Sequence, residues 1–129
     1  MAEPAGKRIL VVDDANLVRR FYRDALERAG FEVDEALNGV EALEKVLGAT
    51  YDLMVVDVNM PQMDGLTFLK VLRRQTTAGS SLPALVISTE ASDQDVAAAR
   101  AAGANFYLVK PVTREKLVEV TAMLCGTPV

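Results

Sequence analysis

Four points in the sequence carry side chains able to do chemistry together: the pair Asp13-Asp14, Asp57, Ser88 and Lys110. Three carboxylates gathered within a few ångströms would repel one another and raise at least one pKa unless a cation sat among them. A hard divalent ion with oxygen ligands resolves that repulsion. Mg²⁺ suits a site with few carboxylates, retained waters and a phosphoryl oxygen, and Mn²⁺ is its expected substitute. In such a site Asp57 is a nucleophile able to form an acyl phosphate, and Asp13 and Asp14 hold the ion with one Asp57 oxygen. Lys110 brings a compact positive charge to the phosphoryl oxygens, and the Ser88 hydroxyl can turn toward the group once it is attached. Phosphoryl transfer needs mainly positioning and charge neutralisation, which these groups supply. The chain has no histidine, which excludes imidazole ligands and imidazole general catalysis.

Taken singly, each residue is ordinary. An Asp pair after a strand often only starts a helix, a serine often sits in a turn, and a lysine is usually a solvated surface charge. The elements that carry them change the reading. Ile9-Leu10-Val11-Val12 is an apolar run of strand length without alternation, the pattern of a strand covered on both faces, and it ends in Asp13-Asp14. Residues 16–29 place Leu17, Phe21, Ala25 and Leu26 at helical spacing, with Gly30 as the stop. Residues 31–36 alternate as a short strand. Asn38 then caps a helix to about Leu47, with Val40, Leu43, Val46 and Leu47 on one face and Gly48 closing it.

Leu53-Met54-Val55-Val56 is a further buried strand ending in Asp57, followed by a loop and a helix carrying Leu66, Leu69 and Leu72. Residues 76–83 read as a loop. Ala84-Leu85-Val86-Ile87 ends at Ser88-Thr89, residues 93–102 form a helix stopped by Gly103, residues 106–109 form a strand ending at Lys110-Pro111, and residues 113–125 form the last helix. Five strand–helix pairs in strict alternation predict an α/β protein with parallel strands, right-handed crossovers and helices on both sheet faces. Ligands of such sheets bind beyond the carboxyl ends of the strands, where strand order reverses. Four of the five strands deliver a charged or hydroxylic residue to that one rim; the second instead leads through Ala36 and Leu37 to Asn38.

A chain of 129 residues, half of it hydrophobic and a quarter charged, suits one domain with one core. The reading divides it into a short N-terminal lead (1–6), the domain (7–125) and a C-terminal tail (126–129). Its net charge of −4 offers no basic stripe for sequence-independent nucleic-acid binding. The single Cys125 excludes an internal disulfide and is compatible with a reducing cytosol. The apolar runs are strand-sized, short of a membrane span, and no signal peptide is visible. A cytoplasmic protein is expected.

The sequence resembles the receiver domains of two-component response regulators from about Arg8 to Leu124, and within them the single-domain chemotaxis regulators. The resemblance rests on Ile9 through Asp14, on Asp57-Val58-Asn59-Met60-Pro61-Gln62-Met63-Asp64-Gly65, on Ser88-Thr89-Glu90-Ala91, and on Ala102-Gly103-Ala104 through Tyr107 to Lys110-Pro111. It implies the flavodoxin-like (βα)5 three-layer sandwich with strand order 2-1-3-4-5, an order that alternation alone does not supply. It further implies phosphorylation of Asp57 by a histidine kinase, with Mg²⁺ held by Asp13, Asp14, Asp57 and the Asn59 backbone carbonyl. Lys110 would contact the phosphoryl group, with a cis peptide bond to Pro111. Ser88 would be the switch hydroxyl, Tyr107 the coupled aromatic, and the side chains of Asn59 and Glu90 would tune the lifetime of the phosphoryl group. Output would leave by protein contact at the face of the fourth helix, fifth strand and fifth helix, with the flagellar motor switch as one partner and the chain a monomer.

Three places depart from the chemotaxis pattern. Val58 stands where an aromatic follows the phosphoacceptor, Ser92-Asp93 where basic residues follow the Glu-Ala pair, and Val112 where an aromatic follows Lys-Pro. The last two lie on the expected output face. A phosphorelay intermediate that passes its phosphoryl group to a histidine phosphotransfer protein is the alternative within signalling. A haloacid-dehalogenase-type phosphatase would need Asp-x-Asp on the first strand, and a flavodoxin-like cofactor binder would need a phosphate-cradling loop where Asp13-Asp14 stand.

Overall fold

The apolar runs at 9–12, 53–56 and 84–87 become the three inner strands of one parallel sheet, each covered on both faces. In the computed structural model, which describes residues 6–60 and 63–126, the strands are β1 (Arg8–Val12), β2 (Glu32–Ala36), β3 (Leu53–Asp57), β4 (Ala84–Ser88) and β5 (Phe106–Val109). The helices are α1 (Asn16–Arg28), α2 (Gly39–Gly48), α3 (Gly65–Arg73), α4 (Asp93–Ala102) and α5 (Arg114–Cys125), with a 3₁₀ turn (Ala78–Ser81) inside the stretch expected as a loop. All strand pairings are parallel and the order is β2-β1-β3-β4-β5, the flavodoxin-like order. The lead and tail lie outside the described residues except for Gly6 and Gly126, as do Pro61 and Gln62 of the long motif.

The pleat sorts the core into two halves. Leu10, Val12, Met54, Val56, Ala84 and Val86 face α2, α3 and α4 with Ala42, Val46, Phe68, Leu69, Leu72 and Ala99. Ile9, Val11, Leu53, Val55, Leu85 and Ile87 face α1 and α5 with Tyr22, Ala25, Leu26, Leu117 and Val120. A run of consecutive apolar residues therefore feeds both halves alternately. Four helices begin at a side-chain cap: Asn38 accepts from the Glu41 amide, Asp64 from Thr67, Ser92 from Asp95 and Thr113 from Lys116. Gly103 ends α4 with φ of 113°, a left-handed turn that a side chain would strain.

Two helix faces differ from the spacing argument. Leu17 is 81% exposed and Phe21 40%, while α1 buries Arg19, Tyr22, Ala25 and Leu26. Leu17/Phe21 and Val18/Tyr22 are adjacent apolar rows, so hydrophobicity cannot choose between them; docking on the sheet does. Likewise α2 buries Ala42 and Val46, whereas Val40 and Leu47 are exposed. Replacing the fully buried Phe68 by Ala should cost about 3–5 kcal/mol in urea denaturation. Leu17→Ser should stay within about 0.5 kcal/mol of the parent.

Candidate functional site

Strand register brings the chemistry-bearing residues together. Val12 lies opposite Val56, so the next residues, Asp13 and Asp57, leave β1 and β3 side by side. Ser88 lies opposite Val109 at the ends of β4 and β5, and the Lys110 amide donates to the Ser88 carbonyl at 2.8 Å. The Lys110–Pro111 bond is cis.

At this rim Asp13 is 1% exposed and Asp57 6%, while Asp14 is exposed. One oxygen from each of the three carboxylates lies within 4.8 Å of the others. Lys110 Nζ donates to Asp57 Oδ1 at 3.1 Å. Asp13 Oδ1 accepts from the Ala15 amide at 2.9 Å, and its buried Oδ2 has no partner among the described residues. An orphaned buried carboxylate oxygen is costly unless something else satisfies it. The helix-start explanation of the Asp pair fails here, because Ala15 is the N-cap of α1 and no side chain caps that helix.

Burial raises the pKa of Asp13, opposed by the Ala15 hydrogen bond and reinforced by the charge of Asp57. Burial also raises that of Asp57, against the Lys110 hydrogen bond and charge. The phenol of Tyr22 is pushed up to about 12, first by burial and then by the fields of Asp13 and Asp57. The donor set fits a divalent cation: all oxygen, acidic, clustered, with one buried lone pair unclaimed. Oxygens around one Mg²⁺ sit about 3–4 Å apart, so small side-chain shifts or a bridging water would complete the shell.

The other expected residues are arranged around this cluster. Ser88, 1% exposed, accepts at Oγ from the Glu90 amide at 3.0 Å. The Tyr107 hydroxyl donates to the Glu90 carbonyl at 2.7 Å. The Glu90 backbone is thus held from both sides by the two residues read as the switch. Asn59 and Glu90 are exposed, each two residues beyond the end of its strand. Gly65 packs so closely that a Cβ there would collide with the Asp57 carbonyl, and its amide donates to the Val58 carbonyl at 3.0 Å. That contact brings α3 tight against the strand end.

Arg19 was not anticipated. Its guanidinium is largely buried and donates to the Asp13 carbonyl at 2.8 Å, to Glu35 Oε1 at 2.6 Å and to Asn16 Oδ1 at 2.6 Å. The signal was present in the sequence as a charge three residues before Tyr22 on what became the inward face of α1, but it required the correct choice of face.

A five-stranded parallel sheet with an acidic cluster, a lysine and a hydroxyl at its carboxyl rim defines a receiver domain. The chain belongs to the response regulator receiver domain family, whose profile matches residues 9–122. It is 39% identical over 122 residues to the chemotaxis protein CheY1 of Helicobacter pylori, covering 93% of this chain and 98% of that protein. The structure of chemotaxis protein CheY4 of Vibrio cholerae matches with a TM-score of 0.86 and 36% identity, over 93% of this chain and 99% of that one. The receiver domain of the sensor histidine kinase PA1611 of Pseudomonas aeruginosa matches with a TM-score of 0.86 and 27% identity, over 95% and 99%. That structure has a magnesium ion coordinated in the active site cleft. Receiver domains are signalling switches of two-component systems and bind Mg²⁺ in their acidic site. No helix among the described residues is long and apolar enough to cross a membrane.

The raised carboxylates set a pH dependence. An acid with a raised folded-state pKa makes the folded protein bind more protons than the unfolded chain. Stability of the metal-free protein therefore falls as pH rises from the ordinary carboxylate value through the raised one. Asp13→Asn should accordingly melt higher than the parent at pH 7 without metal, and the difference should shrink on acidification below the ordinary Asp value. Calorimetry with a chelator present checks both.

Proposed function

We propose that this chain is a response regulator that accepts a phosphoryl group on Asp57 from the phosphohistidine of a histidine kinase and signals by protein–protein contact in chemotaxis. The observation that carries this reading is the buried Asp57 carboxylate, 3.1 Å from Lys110 Nζ and clustered with the Asp13 carboxylate, one oxygen of which has no partner among the described residues. The chemotaxis assignment is supported by the likeness to CheY1 over nearly the full length of both chains. The working unit is residues 7–125.

An Asp57 oxygen attacks the phosphorus of phosphohistidine, the O–P bond forms, the P–N bond breaks, and the imidazole leaves with the electron pair, to be protonated from solvent. Asp13, Asp14, Asp57 and the Asn59 carbonyl would hold Mg²⁺, or Mn²⁺ in its place, which would supply positive charge to offset that of the carboxylates and the transferred group. Lys110 exchanges its bond to the free carboxylate for one to a phosphoryl oxygen. The Ser88 hydroxyl turns to donate to the new group and leaves the Glu90 amide without its acceptor. The Glu90 carbonyl holds the Tyr107 hydroxyl, so a shift of the 88–92 segment reaches β5. Water attack on phosphorus later releases inorganic phosphate and restores the Asp57 carboxylate, with Asn59 and Glu90 at the entrance setting its rate.

Phe106 and Val109 on the edge strand β5 and Met123 on α5 are exposed apolar residues on the face expected to meet the output partner. The flagellar motor switch is the proposed partner, with the regulator acting as a cytoplasmic monomer.

With Mg²⁺ and beryllofluoride or acetyl phosphate, the Tyr107 ring resonances should shift, and Asp57→Asn should abolish the shift. Lys110→Ala should slow acceptance from acetyl phosphate about a hundredfold. An unchanged wild-type spectrum with no acylation overturns the mechanism. The acyl phosphate should be short-lived; a half-life of many hours in Mg²⁺ buffer counts against the roles of Asn59 and Glu90. Transfer of label to a histidine phosphotransfer protein would mark a relay intermediate instead.

A further inference from the structure

Asp13 is held by three hydrogen bonds. Its amide donates to the Ala36 carbonyl at 3.1 Å, its Oδ1 accepts from the Ala15 amide, and its carbonyl accepts from Arg19, while its Oδ2 has no partner among the described residues. The Arg19 contact differs in kind, because it comes from a charged side chain that could have reached solvent and is instead largely buried. Its own position is determined by further bonds. Glu35, the penultimate residue of β2, accepts from Arg19 Nε at 2.6 Å and from Arg23 through its other oxygen, and Asn16 accepts from the remaining guanidinium nitrogen. The side chains of Arg19 and Glu35 are 10% and 27% exposed. Burial pushes the Glu35 pKa up, but the Arg23 and Arg19 hydrogen bonds more than offset it and hold it below the usual carboxylate range.

A guanidinium so close to an acidic site could pair with the Asp13 carboxylate and compete with a cation for it. Here Glu35 engages it from the β2 side, and of Asp13 it contacts only the carbonyl, so Asp13 Oδ2 stays unclaimed among the described residues. Bidentate and multiply bonded arginines hold geometry that a single lysine ammonium cannot. Outer residues that orient metal ligands typically change affinity by tenfold or more when removed.

We propose that Arg19, held by Glu35, is a positioning residue for the divalent-cation site: it fixes the Asp13 carbonyl so that the adjoining carboxylate presents its free oxygen toward Asp14 and Asp57. The inference rests on the metal-site reading given above. It concerns metal binding by the unphosphorylated protein, before any phosphoryl transfer.

The test is a calorimetric Mg²⁺ titration of the full chain, with amide exchange of Ala15 measured in the metal-free protein. Arg19→Gln should weaken Mg²⁺ binding about tenfold and speed Ala15 exchange, because the Asp13 turn loosens. Arg19→Lys should lie between Gln and the parent, and Glu35→Gln should weaken binding about threefold, on the order of half the logarithmic effect of losing Arg19. Folded Arg19→Gln protein that binds Mg²⁺ within about twofold of the parent overturns the proposal. If Arg19→Gln does not fold, Glu35→Gln decides, since that side chain is partly exposed, and unchanged affinity there overturns it equally. A wild-type chain that binds no Mg²⁺ would instead defeat the metal-site reading itself.

Discussion

The in-register pairing of β1 with β3 is the constraint on which the rest of the site depends. Val12 opposite Val56 leaves Asp13 and Asp57 no alternative to adjacency, and both are buried. A slip of one residue along either strand would turn Asp57 to the other face and separate the carboxylates. The apolar residues that precede them resist that slip, because each already fills one of the two core halves. Core packing thereby enforces a gathering of like charges that electrostatics alone would oppose.

The local structure compensates in ways that leave the cluster receptive. Lys110 meets Asp57, the Ala15 amide meets one oxygen of Asp13, and nothing among the described residues meets the other. Both buried carboxylates keep raised pKa values despite these partners. A site of this kind favours whatever brings positive charge and oxygen coordination. It is strained without such a ligand, and ligand affinity and metal-free instability share that cause.

The same rim also connects to the far edge of the sheet. Ser88, Glu90 and Tyr107 form a chain of two hydrogen bonds through the backbone of one residue, Glu90, from the end of β4 to the side chain on β5. A contact change at Ser88 has a short covalent and hydrogen-bonded route to an exposed strand, with no need for motion of the core. On the opposite flank the Arg19–Glu35–Arg23 network ties the β1–α1 turn to β2. One side of the acidic cluster is braced by charge and the other ends in a mobile type of contact, a hydroxyl and an amide.

Much of this was legible before any coordinates. Continuous apolar runs ending in Asp13, Asp57 and Ser88 specify buried parallel strands, and with the short strand before Lys110 they specify a shared rim, because strand burial and the carboxyl-end rule act through residue type and order alone. Other features were not legible, for a physical reason: they depend on which of two equivalent local choices the rest of the fold selects. Leu17/Phe21 and Val18/Tyr22 are both acceptable helix faces by spacing, and Val40 is as apolar as Ala42. Only docking against the sheet decides, and with that choice Arg19 becomes a buried contact of Asp13. The sequence by itself determined the elements, the alternation and the chemical identity of the rim, since these follow from local propensity and pattern. The tertiary structure decided the helix faces, the orphaned oxygen of Asp13 and the arginine network behind it, since these arise only where residues distant in the chain compete for the same space.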